Sequence, residues 1–376
     1  MNDITKPILS ICMPTYNRAE HILESLTSIV SNITYENIGL VEIVVRDNCS
    51  TDSTENVLNE FIINNPLVNI RYVKSEQNFG YDKNIIELYK EAKGRYIWFI
   101  GDRYVLCVEL SRIIRALVKY QPSFMGFSDL FTERKARIDN FLNLNQSQVA
   151  TKKDYDLQVT LCDVPSLFIM EVAPLFASLP AVIFEANIND EILKKIWDKF
   201  GESQFMHIPL AIESIKATKN RTACIVNVYE KTFSSLSVAN TLRFDPVLTT
   251  KGMRDIYEEY PLVGNFSERD AVNFFLYNGL ISYKLGRQYI GIENINQLSK
   301  SLKQLNVKMN FKQKILIAIW GVPFVWPYRV AFLLFLMLRN DLRAGGDNKD
   351  QKAGNSISEM REFDRQVCIF KAAANK

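Results

Sequence analysis

The sequence predicts an α/β protein: a Rossmann-like, mostly parallel sheet with helices on both faces, extended by a helical C-terminal region. Two observations predict it. Over the first 130 residues, four short apolar runs each lead through a polar turn towards helical spacing, and each run ends in Asp, Asn, Ser or Thr. Right-handed strand–helix–strand crossovers then bring the four polar clusters to one sheet edge, where open α/β sheets hold their ligands.

The elements follow in order. Ile8 to Met13 is an apolar run closed by Pro14-Thr15-Tyr16-Asn17-Arg18, and His21 to Ile29 repeats Ile22, Leu23, Leu26 and Ile29 at helical spacing. Val41 to Val45 is a second strand ending in Asp47-Asn48-Cys49-Ser50-Thr51-Asp52, with Ser53 and Thr54 as caps for a helix through Val57, Leu58, Phe61 and Ile62. Asn69 to Val73 is a third strand, followed by Asn78-Phe79-Gly80-Tyr81-Asp82-Lys83-Asn84 and a helix to Ala92. The fourth strand, Arg95 to Ile100, is too short for a helix and apolar throughout its interior, so it belongs at the sheet centre; Gly101-Asp102-Arg103 follows at once. A nucleotide fits this rim. Asp47 could accept from a base or ribose, Asn78 and Asn84 could pair with a base edge, and Thr15 and Asn17 could order the first loop. Cap and turn chemistry draws on the same residue types.

Composition narrows the class. The chain has 376 residues and a formal net charge of +3, which offers no general case for nucleic acid as a partner. Six cysteines without a C-x-x-C pair fit buried thiols in a reducing compartment, and two distant histidines argue against a His-based zinc site. The first residues lack a basic stretch followed by a long apolar core, so no signal peptide is expected and the chain is placed in the cytoplasm. No P-loop or G-x-G-x-x-G is present, against kinases and dinucleotide oxidoreductases.

Four motifs in order, P-T-Y-N-R (Pro14 to Arg18), R-D-N-C-S-T-D (Arg46 to Asp52), N-F-G-Y-D-K-N (Asn78 to Asn84) and Y-I-W-F-I-G-D (Tyr96 to Asp102), resemble the nucleotide-sugar-binding half of family 2 glycosyltransferases. The resemblance covers about the first third of the chain and implies the GT-A fold, with makers of bacterial capsule and O-antigen among the members. It implies that Thr15, Tyr16 and Arg18 line the nucleotide pocket, with Pro14 and Asn48 in the same motifs. It further implies that Asp47 reads the base, that Asn78, Gly80 and Asn84 support base and ribose, and that Asp102 opens the D-x-D segment holding the sugar diphosphate.

One departure bears on cofactors. Family members commonly place a second carboxylate in that segment to bind Mg2+ or Mn2+; here Asp102 is followed by Arg103 and Tyr104. Three readings stay open: Arg103 takes over the charge of the metal, a divalent cation still binds through Asp102 and the diphosphate, or the site only binds sugar nucleotide.

The second half is less regular. Thr132 to Thr151 reads as a polar loop or short helix over the site, Leu179 to Phe184 as a short strand, Asp190 to Phe200 as a helix, and Gly201 to Ile208 as the start of another. An inverting transfer needs a base for the acceptor hydroxyl, and the candidates are Asp163, Glu171, Glu185, Asp190, Glu202 and His207. Glu202 and His207 are preferred, because helical spacing would bring them together. Residues 315–338 form a 24-residue apolar segment interrupted by Gly321, Pro323 and Pro327, flanked by Lys and Arg. Two short helices in a membrane interface, or a buried hairpin, fit it better than a straight spanning helix.

The chain is thus divided into a nucleotide-sugar-binding half (1–130), an acceptor-binding half (131–245), a helical region with the apolar segment (246–343) and a flexible tail (344–376). The reading is a glycosyltransferase, inverting, acting on a lipid-linked or growing bacterial glycan at the cytoplasmic face of the inner membrane. The rivals are a non-catalytic sugar-nucleotide-binding scaffold of the same fold and a nucleotidyltransferase, though no metal-binding carboxylate pair or basic Gly-rich loop supports the latter.

Overall fold

The computed structural model describes residues 6–127, 149–154, 157–162, 179–218, 223–228 and 233–235, with 252, 255, 256, 259 and 260. The chain divides into two compact units, Met1–Ser237 with Asp255–Asn265, and Val238–Arg254 with Phe266–Lys376. Apart from Gly252 the second unit lies outside the described residues, and with it the apolar segment 315–338 and the tail. Most of the expected loop at 132–151 and the candidates Asp163 and Glu171 also lie outside them.

In the first unit the strands are β1 (Leu9–Thr15), β2 (Val41–Asp47), β3 (Ile70–Lys74), β4 (Tyr96–Phe99), β5 (Tyr104–Leu106), β6 (Phe124–Phe127), β7 (Val149–Asp154), β8 (Leu157–Cys162), β9 (Val182–Glu185), β10 (Ala223–Val228) and β11 (Phe233–Ser235). The helices are α1 (Ile22–Val30), α2 (Thr54–Asn64), α3 (Tyr81–Glu91), α4 (Leu110–Tyr120), α5 (Asp190–Phe200) and α6 (His207–Ala217). Nine strands form one sheet in the order β3-β2-β1-β4-β9-β6-β10-β8-β7, and β5 pairs with β11 in a separate ribbon. Only β8 and β9 run against the common direction, so the sheet is mostly parallel as expected. It is the α/β arrangement that the GT-A resemblance implies.

The strand β4 is central because both its faces are covered. Tyr96, Trp98 and Ile100 join a core with Ile22, Leu26 and Ile29 of α1 and Ile113, Ile114 and Leu117 of α4. Phe99 lies towards Phe184 on the opposite face, where Tyr89 of α3 stacks on Phe184. A strand buried on both sides must be apolar at every position, and β4 is. Trp98 stacks on Phe127 at 5.2 Å and donates its Nε1 hydrogen to the Pro180 carbonyl at 2.8 Å, so its one polar atom is satisfied.

The face under α3 is less apolar. On β1 and β2 the residues alternating with the core set include Ser10, Glu42 and Arg46, all buried. Arg46 pairs with Glu91 of α3, Arg71 pairs with Glu42 at 3.2 Å, and Glu42 also accepts from Ser10 Oγ at 2.5 Å and Lys93 N at 2.6 Å. Burying these charges is tolerable because each is paired.

The expected helix at 190–200 matches α5, and Asn189 caps it by accepting from Ile192 N at 2.9 Å. Three expectations need correction. Residues 149–151 are strand rather than loop, being the start of β7. The helix α6 begins at His207, so Glu202 precedes it in a turn and the two residues share no helical face. For α2 the capping oxygen comes from Asp52: its Oδ1 accepts from Thr54 N at 3.0 Å, whereas Ser53 makes no capping bond. The helix α4 completes the fourth strand–helix unit, for which no residue range was expected. Its apolar positions recur at helical spacing, and it stops at Gln121, which takes a left-handed conformation with φ 44°.

Candidate functional site

Pairing between β1 and β4 continues to Ile100, whose N–H donates to the Cys12 carbonyl at 3.0 Å. A four-residue turn follows directly, closed by Tyr104 N donating to Gly101 O at 3.1 Å, with Asp102 and Arg103 at its two corners. A side-chain carbon at Gly101 would come within 3.3 Å of the Tyr104 ring, so glycine suits the close approach. The turn faces the end of β1. Thr15 Oγ1 donates to Asp102 Oδ2 at 2.9 Å, and Arg18 Nε lies 3.5 Å from the same oxygen. The Asp102 side chain is 14% exposed. Burial raises its pKa above the ordinary carboxylate value, against the opposing pull of Arg18, Thr15 and Arg103.

The loops after β1 and β2 are laced together. Asn17 N donates to Ser50 Oγ at 2.8 Å, Thr51 N to Asn17 Oδ1 at 2.8 Å, and Arg18 N to Thr54 Oγ1 at 2.9 Å. Asn17 and Cys49 take left-handed backbone conformations, φ 53° and 66°, which turn both loops sharply at the strand ends. Asp47, the last residue of β2, is 0% exposed. Its Oδ1 accepts from Ser50 N at 2.9 Å and Ser50 Oγ at 2.5 Å, and its Oδ2 accepts from Tyr72 OH at 2.9 Å. Burial and this carboxylate push the Tyr72 phenol far up, so Tyr72 stays the donor.

Asn48 joins three loops. Its N–H donates to Thr15 O at 2.9 Å, its Nδ2 to Asn78 Oδ1 at 2.8 Å, and its Oδ1 accepts from Phe79 N at 2.9 Å. Asn78 Oδ1 also accepts from Gly80 N at 2.9 Å. Gly80 precedes α3 with φ 82° and ψ 170°, a conformation open to glycine and strained for other residues. Asn84, one turn into α3 and buried, donates Nδ2 to the Arg46 carbonyl at 3.2 Å, beside Asp47. Pro14 is buried within β1, and Tyr16 is half-buried just beyond its end. The predicted donor residues therefore stand on adjoining loops at one sheet edge. Their side chains are engaged with one another: Asp47 and Asn78 have oxygens already occupied.

At the start of α3, Tyr81 OH lies 3.3 Å from Nδ1 of His207, the first residue of α6, which is 7% exposed. Glu202 is exposed in the preceding turn. Glu185 pairs with Arg95 at 2.9 Å and lies opposite Tyr96, the first residue of β4, at the far end of that strand from Asp102. Asp190 is exposed at the start of α5.

Sequence reasoning passed over Asp82. Its residue exposure is 5%, and its carboxylate accepts from Gln204 N at 2.7 Å and Met206 N at 3.0 Å. The only sequence signal was its place at the start of a helix, where an acidic residue is ordinarily unremarkable. Burial, helped by Glu202 and opposed by the two N–H groups, raises its pKa from 3.8 to about 6. Because the folded value exceeds the unfolded one, the folded state holds the proton more tightly between them. The stabilisation is fully present below 3.8 and is lost as pH rises through about 6. At about 1.4 kcal/mol per pH unit, the wild type is expected to lose about 1.4 kcal/mol relative to Asp82→Asn between pH 5 and 7.5. Urea unfolding of both proteins at the two pH values checks this; a constant difference contradicts it.

Residues 10–122 match the family model described as glycosyl transferase family 2. This segment is a family 2 glycosyl transferase domain. It covers β1 to α4, and so holds every predicted donor residue. Among curated relatives, the abequosyltransferase RfbV of Salmonella typhimurium is 34% identical over 115 residues, covering 30% of this chain and 33% of that protein. The putative teichuronic acid biosynthesis glycosyltransferase TuaG of Bacillus subtilis is 24% identical over 145 residues, 38% of this chain and 55% of that protein. The matches thus span about a third and about half of the two relatives. Solved structures are similar more distantly: S. aureus TarS in complex with UDP has 18% identity and a TM-score of 0.45, covering 96% of this chain and 91% of that one.

The carboxylates of the family 2 domain do not by themselves compose a metal-holding set. Among the described residues no group of three or more His, Cys, Asp or Glu could hold a metal ion. Asp102 is paired with Arg18, and Arg103 adds a second guanidinium that acts on it. Also among the described residues, no helix is long and apolar enough to cross a membrane.

Proposed function

We propose that the protein transfers a glycosyl group, with inversion, from a nucleoside-diphosphate sugar to a lipid-linked or growing bacterial cell-surface glycan. The observation that carries this reading is the joining of four strand ends: Thr15 at the end of β1 and Arg18 just beyond it meet Asp102 after β4, while Asn48 after β2 ties Thr15 to the Asn78–Gly80 turn after β3. The two relatives, named for abequosyl transfer and teichuronic acid biosynthesis, support a bacterial surface polymer as the destination. Pro14, Thr15, Tyr16, Arg18, Asp47, Asn48, Asn78, Gly80, Asn84 and Asp102 are assigned to the donor site. For Asp47 the assignment is to hold the loop that receives the base, since its oxygens already accept from Ser50 and Tyr72.

In the reaction the acceptor hydroxyl oxygen attacks the anomeric carbon. The bond from that carbon to the diphosphate oxygen breaks with its electron pair, and the hydroxyl proton passes to a base. Negative charge grows on the leaving diphosphate, and fixed positive charge beside it lowers the barrier. Arg103 and Arg18 are assigned that role. His207 is assigned as the base, being held beside the donor loop through Tyr81; Glu202 is the alternative. The apolar segment 315–338 suits attachment to the cytoplasmic face of the membrane, where a lipid-linked acceptor is held.

The test is release of sugar from UDP-, GDP-, dTDP- and CDP-sugars by the full chain. Release from at least one is expected; binding without release from any would favour the scaffold reading. Turnover is also expected to survive exhaustive chelation. Complete loss restored by Mg2+ or Mn2+ would show that the arginines do not replace a metal.

A further inference from the structure

The side chain of Asp82 reaches across from the donor domain to the segment that leads into α6. It is buried at the first turn of α3, two residues after Gly80, and both its oxygens accept backbone hydrogens from the turn at 203–206, more than 120 residues away in sequence. The neighbouring Tyr81 points its hydroxyl at His207 Nδ1, 3.3 Å away, with the two rings edge to face. Ser203 Oγ accepts from Phe205 N at 3.1 Å, which tightens the same turn. The arrangement also adjoins the rim: Arg103 and Tyr104 both act electrostatically on the Tyr81 hydroxyl. A buried carboxylate spent on two backbone N–H groups of a distant turn is costly to desolvate, so it needs a return beyond helix capping. The charge that acts on it is that of Glu202, just before the turn; the adjacent Tyr81 phenol stays neutral, its pKa raised by burial and by Asp82 itself.

We propose that Asp82 is a positioning residue that docks the 203–206 turn onto α3 and thereby seats His207 against Tyr81. The Asn78–Gly80 donor loop and the proton acceptor then belong to one rigid assembly. The functional part of this inference rests on the glycosyl-transfer reading; the docking part does not.

The experiment compares wild type, Asp82→Ala and Asp82→Asn as full chains. Asp82→Ala is expected to lower kcat for sugar transfer about 10- to 100-fold through misplacement of the base. The donor KM and the calorimetric affinity for UDP, GDP, dTDP or CDP, whichever binds, should be unchanged. Asp82→Asn keeps one acceptor oxygen and should fall between the two. Hydrogen exchange gives a readout independent of activity: the Gln204 and Met206 amides should exchange about tenfold faster in Asp82→Ala, each having lost a hydrogen bond, while the interior of α3 keeps its protection. Should the alanine variant not fold, the same measurements on Asp82→Asn decide the matter. Unaltered exchange at both amides overturns the docking. Faster exchange with unchanged kcat overturns the positioning role, as does a loss of nucleotide affinity that matches the loss of turnover. If wild type releases sugar from no donor, it is the glycosyl-transfer reading that fails, and exchange alone still tests the docking.

Discussion

Replacing Arg103 by alanine is expected to lower sugar transfer about 10^2- to 10^3-fold, the usual cost of removing one fixed group that stabilises charge developing in a transition state. Arg103 occupies the second corner of the 101–104 turn, half-buried, with its guanidinium 5.5 Å from the centre of the Tyr104 ring. The turn is closed by backbone atoms and anchored through Asp102, which pairs with Thr15 and Arg18, so the substitution should leave the loop in place. The loss should therefore fall on kcat more than on donor KM, because the charge to be neutralised grows as the leaving bond breaks. Arg103→Lys retains the charge but not the planar fork that matches two phosphate oxygens, and should recover only part of the activity. Steady-state kinetics of the three proteins with the best donor provide the check. Equal kcat for wild type and Arg103→Ala would remove Arg103 from the mechanism.

Asp47→Ala should act first on the fold and only through it on the ligand. The side chain is fully buried and receives three hydrogen bonds, two from Ser50 and one from Tyr72. Truncation leaves those donors facing a cavity, at about 1–3 kcal/mol for each group that finds no new partner. A total loss of about 2–4 kcal/mol of stability is expected, a large share of the margin of an ordinary domain. Because Ser50 Oγ also accepts from Asn17 N, the damage should spread to the first loop and weaken nucleotide binding with it. Denaturant unfolding paired with nucleotide calorimetry tests this. An unfolding midpoint equal to that of wild type, with binding abolished, would mean that Asp47 meets the base directly.

Much of the first unit could be read without coordinates because its signals are local. The run Tyr96 to Ile100 has no polar position to turn towards water, and so it had to lie inside. Ile22, Leu26 and Ile29 repeat at helical spacing, and they line one buried face of α1. The clusters after β1, β2 and β4 were set on one edge by topology alone, and the bonds from Thr15 to Asp102 and from Asn48 to Thr15 agree. Cap chemistry was harder to read. Asp52, Ser53 and Thr54 are all plausible caps by type, and which oxygen reaches the first free N–H depends on a backbone turn with no periodic pattern.

What the chain alone determined, then, is the order of strands and helices from β1 to β4, their apolar faces, and the edge on which Asp and Asn collect, since side-chain period and crossover handedness are properties of short stretches. Folding in three dimensions decided which of those polar groups are spent internally. Only there does Asp47 disappear beneath Ser50 and Tyr72, Asp102 take Arg18 as its partner, and Asp82 meet the backbone of the turn before His207. The physical reason is that a hydrogen bond depends on a few ångströms of separation between groups far apart in sequence, and no local pattern records that distance.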